Sequence, residues 1–346
     1  LAFKRTQFND KTRLVWGYPY SMTAIEGLCA YPLLEQFKRG NTPMAFSMTS
    51  GALGTKLRVA SYHHEWAYSL DFSQFDATIS AMLIHVAFDI LRTWFDKDQV
   101  DVVSGKTTME VFDVIENYFI HTPIVMPNSK LYLGKGYGVP SGSYFTQVVD
   151  SIVNVIVAGA ISARFHLNVD KREIFVLGDD LLMWSNRKVD LNLMSQYVAQ
   201  EFQMQLHGAE KSAIYHYDET IHFLGRDWTN GMPSLAVEEV VKRMVFPEKF
   251  RKYSKDRAKR EREVRLLLLS YAANYRCAWR IAYLAVDPSD RNIHNGCANV
   301  DVNAYCHASP GVNPEFLSGL MRYRLKYGLE NQDAYGIPST ALQYWL

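Results

Sequence analysis

The tripeptide Gly178-Asp179-Asp180 lies between two short β-prone runs, residues 173–177 and 181–185. That pattern reads as a β-hairpin whose turn is made of glycine and acid. A hairpin tip exposes its side chains and also fixes their direction, so carboxylates there are set up for use. The tripeptide alone arises easily by chance in 346 residues. Its meaning depends on what else converges on it.

A further acid is placed to do so. Residues 66–70 read as a strand that ends on Asp71, and residues 77–95 repeat apolar side chains at three-to-four spacing, as an amphipathic helix does. Asp76 falls near that helix's start, where an acid also serves simply as a cap or a partner of the helix dipole. If the strand ending at Asp71 neighbours the hairpin, Asp71 and Asp179 form a pair, with Asp180 beside them as an auxiliary ligand or charge. Hard divalent cations take carboxylate oxygens that converge from separate elements. Phosphoryl transfer uses two such ions, roughly 4 Å apart.

Between these acids, Gly138-Val139-Pro140-Ser141-Gly142-Ser143 forms a loop leading into an apolar helix over residues 144–161. Thr146, Asp150 and Asn154 are spaced by four and share one helix face. Gly142 lets backbone approach a ligand closely, although a plain turn accounts for Ser141-Gly142 and a core amide accounts for Asn154. Residues 191–206 read as a second amphipathic helix, and residues 212–217 and 221–228 as strands. Residues 1–64 read as irregular and partly helical, and 96–135 as a polar region. The whole is an α+β chain with helices on one face of a small antiparallel sheet.

Composition narrows the classes. The chain is 48% hydrophobic, with 37 basic against 36 acidic residues, so there is no general pull toward nucleic acid or an anionic membrane. A basic stripe at residues 242–265 would act locally, or be a solvated helix face. Four cysteines without dense spacing fit free thiols in a reducing compartment. His294, Cys297, Cys306 and His307 are zinc-ligand types without the tight pair that zinc sites use. The longest apolar run, residues 152–161, falls well short of the roughly 20 residues a bilayer needs, so no membrane contact is expected. The start, lacking Met or a signal peptide, reads as the interior of a longer chain.

Together, Asp71-Phe72-Ser73-Gln74-Phe75-Asp76, Ser141-Gly142 with Thr146 and Asn154, and Gly178-Asp179-Asp180 resemble motifs A, B and C of the viral RNA-dependent RNA polymerases, in the family's order. Within that family, residues 138–143 through Asp150-Ser151 and Asn154, with Lys11-Thr12-Arg13-Leu14-Val15-Trp16, resemble the partitivirus and picobirnavirus group of double-stranded RNA viruses.

The resemblance implies a right hand. It has partial fingers at 1–64, palm at 65–95, a fingers insertion at 96–135, palm at 136–230 and a helical thumb at 231–346, with much of the fingers ahead of the first motif absent. It implies Asp71, Asp179 and Asp180 as ligands of Mg²⁺ or Mn²⁺, and Asp76 with Asn154 as readers of the ribose. Ser141, Gly142 and Thr146 would bind nucleotide, and Lys4, Arg5, Lys11 and Arg13 the triphosphate. Lys211, in Gly208-Ala209-Glu210-Lys211-Ser212, would be a general acid unless it is a surface lysine, and Phe223-Leu224-Gly225-Arg226 would support the primer unless Phe223 is simple core. The implied function is viral genome replication and transcription in the host cytoplasm, within the virion core. Its partners would be RNA template and product, ribonucleoside triphosphates and capsid protein. Two alternatives stay open: a reverse transcriptase, which usually carries a bulky aromatic where Asp76 stands, and a silent palm kept for RNA binding or packaging.

Overall fold

The computed structural model describes residues 2–6, 12–39, 42–46, 48, 50–102 and 104–234. The chain divides into two compact units, Leu1–Met48 with Leu57–Leu224, and Thr49–Lys56 with Gly225–Leu346. The first stretch contains β1 (Ala2–Thr6), β2 (Thr12–Trp16), α1 (Tyr20–Arg39) and α2 (Ser50–His63). Next come β3 (Trp66–Leu70), β4 (Phe72–Ser73), α3 (Phe75–Thr78), α4 (Ala81–Arg92) and α5 (Thr108–His121). Then follow β5 (Ile124–Val125), β6 (Leu131–Tyr132), α6 (Thr146–Phe165), β7 (Ile174–Leu177), β8 (Asp180–Ser185) and α7 (Leu191–Phe202). The described part closes with β9 (Gln205–Leu206), β10 (Ala213–His216), β11 (Ile221–Phe223), β12 (Arg226–Thr229) and β13 (Met232–Ser234).

The centre of the first unit is a four-stranded antiparallel sheet in the order β10-β3-β8-β7. Helix α6 packs against β7 and β8. Its Val149, Val153, Val157 and Ile161 are fully buried, a stripe at spacing four. By length and composition alone α6 could cross a membrane, which the short apolar run did not suggest, but half of that stretch is buried in the protein. The α+β expectation therefore holds, with helices α4, α5 and α6 sharing one aromatic core. Phe88 of α4 lies 5.4 Å, centroid to centroid, from both Phe119 of α5 and Phe145 at the start of α6. Arg92 of α4 closes the edge of this layer with ion pairs to Glu116 (2.5 Å) and Asp113 (2.9 Å) of α5.

Several expected elements are redrawn. Residues 1–64 are not irregular but hold a hairpin, β1 with β2, and two long helices. The stripe of α1 was hidden because its buried positions, Met22, Glu26, Cys29, Leu33 and Phe37, include an acid. Residues 50–54, with glycines at 51 and 54, begin α2. The helix expected over 77–95 breaks at Ile79, where the backbone extends, and restarts at Ser80, whose hydroxyl accepts from the Leu83 amide at 3.3 Å. The helix expected to reach residue 206 stops at Gln203 in a left-handed conformation, and Leu206 then pairs with Phe72. The run 221–228 is two strands, because Leu224 and Gly225 both take positive φ. The basic stripe at 242–265, the zinc candidates and nearly all of the expected thumb lie outside the described residues.

Truncating the centre of the aromatic layer should be costly. Phe88→Ala is expected to destabilise the protein by about 3–5 kcal/mol, read as a lower urea midpoint with an unchanged denaturant slope.

Candidate active site

Strand pairing brings the acids together. Leu70 pairs with Leu181 across β3 and β8, so Asp71, one residue beyond, comes opposite Asp180 at the start of β8. Leu177 pairs with Asp180 across the hairpin, which leaves Gly178-Asp179 as a two-residue turn. Gly178 takes φ +64° while Asp179 does not, the pattern of a II′ turn with glycine first. The hairpin is thus tighter than a three-residue turn, and Asp180 belongs to the strand. Asp71, Asp76, Asp179 and Asp180 are all exposed.

The turn is gripped from behind by α6. The Gly178 amide donates to Ser151 Oγ at 3.0 Å, and Asn154 Nδ2 donates to the carbonyls of Gly178 (3.0 Å) and Asp179 (3.1 Å). Both side chains are fully buried, so these bonds exchange with no water and fix the turn. Asn154, expected to read the ribose, spends its amide here. One helical turn earlier, Asp150 is 3% exposed, and one of its carboxyl oxygens has no hydrogen-bond partner. Burial pushes the Asp150 carboxyl well above its ordinary range, and the charges of Asp76 and Asp179 push it the same way. Asp150 thus adjoins the acidic centre on the same α6 face as Asn154, whose Oδ1 likewise has no hydrogen-bond partner.

The loop before α6 is braced in the same manner. Ser141 Oγ accepts from the Trp16 amide at 3.0 Å, and Thr146 Oγ1 donates to the Pro140 carbonyl at 2.5 Å. A Cβ on Gly142 would meet the Trp16 carbonyl at 2.6 Å, so glycine is required there by backbone packing. Fully buried Glu26 of α1 accepts from Ser143 Oγ (2.7 Å) and the Tyr144 amide (2.9 Å). Burial raises the Glu26 carboxyl, and these bonds hold it down in part. Lys135 Nζ donates to the carbonyls of Phe119 (2.8 Å) and Gly138 (2.7 Å), and burial pulls its ammonium down to about 8. Ahead of the loop, the Val139 amide donates to the Asp76 carbonyl at 2.8 Å, which sets the backbone of Asp76. Asp76 sits in the first turn of α3 and is not its cap, since that position belongs to Gln74.

Of the other predicted residues, Arg13 lies on β2 opposite Arg5 of β1, Lys4 lies opposite Leu14, and Lys11 is outside the described residues. Lys211 lies in the loop before β10, its Nζ 3.1 Å from His207 Nε2. Phe223 is buried core. Sequence reasoning missed Glu26, Ser151, Lys135 and His207. An acid inside an apolar helical stripe was the available signal for Glu26, whereas a single serine or histidine announces nothing.

The family model described as viral RNA-dependent RNA polymerase matches residues 8–276. The RNA-directed RNA polymerase of Cryptosporidium parvum virus 1 is 32% identical over 166 residues, 46% of this chain and 29% of that protein. The RNA-directed RNA polymerase of Atkinsonella hypoxylon virus is 22% identical over 287 residues, 70% of this chain and 43% of that protein. The chain thus spans less than half the length of either relative. Among solved structures, the RNA-dependent RNA polymerase of a human picobirnavirus aligns with a TM-score of 0.66 at 17% identity, covering 99% of this chain and 63% of that one. Its insertion-loop deletion mutant aligns at 0.65 and 20% identity. At these identities the likeness is one of fold, the right hand.

Asn154→Ala should cost about 1–3 kcal/mol through the two carbonyls left unpaired. Hydrogen exchange is expected to quicken at Gly178 and Asp180 while the interior amides of β8 stay protected. Unchanged exchange at the turn would remove the clamp.

Proposed function

The chain belongs to the viral RNA-dependent RNA polymerases, and from that premise we propose that it copies RNA into RNA from ribonucleoside triphosphates, with Asp71, Asp179 and Asp180 as its acidic centre. The observation that carries this reading is the pairing of β3 with β8, which sets Asp71 opposite Asp180 and beside the turn that holds Asp179. The picobirnavirus-like fold and the relatives support a place in a double-stranded RNA virus, with RNA template and product as partners. Capsid protein and a site within the virion core in the host cytoplasm complete the proposal.

The donor set fits hard divalent ions. Exposed carboxylates stand at adjoining strand ends, although among the described residues no group of three or more His, Cys, Asp or Glu is arranged to hold a metal ion by itself. Mg²⁺ suits such a site because it binds through one or two carboxylates together with substrate phosphates; Mn²⁺ is the substitute. When bound there, two such ions would activate the 3′-hydroxyl and neutralise the leaving pyrophosphate.

The chain's own residues act by holding geometry. Ser151 and Asn154 keep the Gly178-Asp179 turn from reorganising, so charge is already placed when the reaction needs it. Asp76 and Asn154 read the ribose 2′-hydroxyl, Asn154 through the Oδ1 that its bonds to the turn leave without a partner, with Asp150 one helical turn away on α6. Lys211 gives a proton to the pyrophosphate as it departs.

The test is RNA-templated incorporation by the full-length protein with Mg²⁺, offered ribonucleotides and deoxyribonucleotides. Ribonucleotides alone should be incorporated, and Asp179→Ala should reduce the rate by roughly three orders of magnitude. Incorporation of neither sugar across varied templates and metals would leave an RNA-binding palm, and equal use of both sugars a reverse transcriptase. Asp76→Ala is expected to narrow the preference for ribose by about tenfold, measured as the ratio of the two kcat/KM values.

A further inference from the structure

The loop from His207 to Ser212 is built onto Asp71. The His207 amide donates to the Asp71 carbonyl at 2.9 Å, and the Asp71 amide donates to Ser212 Oγ at 3.1 Å. Ser212 Oγ in turn donates to the His207 carbonyl at 2.6 Å. This closed ring of three bonds is main chain at His207 and Asp71, so the histidine side chain is not needed to form it. That side chain is 14% exposed and has its own partners.

Its partners define its geometry. Lys211 Nζ has hydrogens to give and no lone pair to receive one, and it lies 3.1 Å from His207 Nε2. Nδ1, on the other side of the ring, lies 3.2 Å from Glu210 Oε1. Glu210 is kept a carboxylate by its own amide and by that of Gly208, which hold it below the usual range. The same Nε2 lies 3.7 Å from Asp71 Oδ2. A lysine on an exposed loop otherwise samples many rotamers, and fixing it costs conformational freedom. Here the imidazole nitrogen that faces Asp71 is also the contact of the ammonium.

We propose that His207, whose Nε2 lies 3.7 Å from Asp71 Oδ2 and 3.1 Å from Lys211 Nζ, is a positioning residue that holds the Lys211 ammonium ready to deliver its proton during nucleotidyl transfer. The inference rests on the polymerase reading above. In the step it serves, the 3′-hydroxyl gives its proton to solvent as its oxygen bonds to the α-phosphorus and the bond from that phosphorus to the bridging oxygen breaks. The electron pair leaves with pyrophosphate, which takes the Lys211 proton; the neutral amine regains one from solvent. Glu210 acts only through the imidazole, whose Nδ1 it faces.

Two side chains separate the nitrogens. Glutamine places an acceptor near the position of Nε2, whereas asparagine reaches only the position of Nδ1. In single-turnover incorporation by the full-length protein, His207→Asn is expected to slow the maximal rate about tenfold with little change in nucleotide affinity. His207→Gln should stay within about threefold of wild type. On a Lys211→Met background, His207→Asn should cause no further loss, because its effect runs through the lysine. Unfolding midpoints of all variants should match, since the main-chain ring is untouched. Equal rates for the asparagine and glutamine variants, or a full additional loss on the Lys211→Met background, would overturn the role of His207 and leave the polymerase reading intact. A wild-type protein that incorporates nothing would instead overturn both.

Discussion

The two hydrogen bonds from Asn154 to the Gly178 and Asp179 carbonyls, with the Ser151 bond to the Gly178 amide, are the constraint on which the acidic centre depends. A two-residue turn between short strands is marginal in water by itself. Its carboxylates repel one another and Asp71 across the strand ends, which favours opening. Burying three hydrogen bonds between the turn and a core helix counters that strain where water cannot compete. The price is the conformational freedom of α6, already fixed by its Val149, Val153, Val157 and Ile161 stripe. Core packing and the aim of the catalytic carboxylates are therefore one construction.

Much of this was legible beforehand. The strand ending at Asp71, the hairpin around Asp179 and the helix that starts near Thr146 were readable because period and turn chemistry agree there. Helix ends were not, since they are decided by partners remote in sequence. The chain leaves α7 at Gln203 because Leu206 pairs with Phe72, and nothing within residues 191–206 announces that pairing. Residues 1–64 read as partly helical, but the extent of α1 escaped notice because Glu26 interrupts its apolar pattern in order to hold the loop at Ser143 and Tyr144.

The site residues divide along the same line. Types and spacing marked Asp71, Asp76, Asp179 and Asp180 as chemistry, because clustered acids have few structural uses. They could not tell which polar groups of the loop and of α6 face inward. Ser141, Thr146 and Asn154 each make a hydrogen bond with the protein's own backbone, and Asp150, no more conspicuous in sequence, adjoins the acids. Side chains that share one helix face can still serve different masters, and only the neighbouring elements decide.

Helix α6 carries three jobs along one rigid rod: Thr146 at its start ties the loop, Asp150 adjoins the acids, and Ser151 with Asn154 holds the turn. A helix turns roughly 100° per residue. Inserting or deleting a single residue between Thr146 and Asn154 would swing the turn-holding pair to a different face while the loop stayed where it was. This segment can therefore change in composition while its length is locked. Evolution of such a chain is confined less by which residues it may use here than by how many.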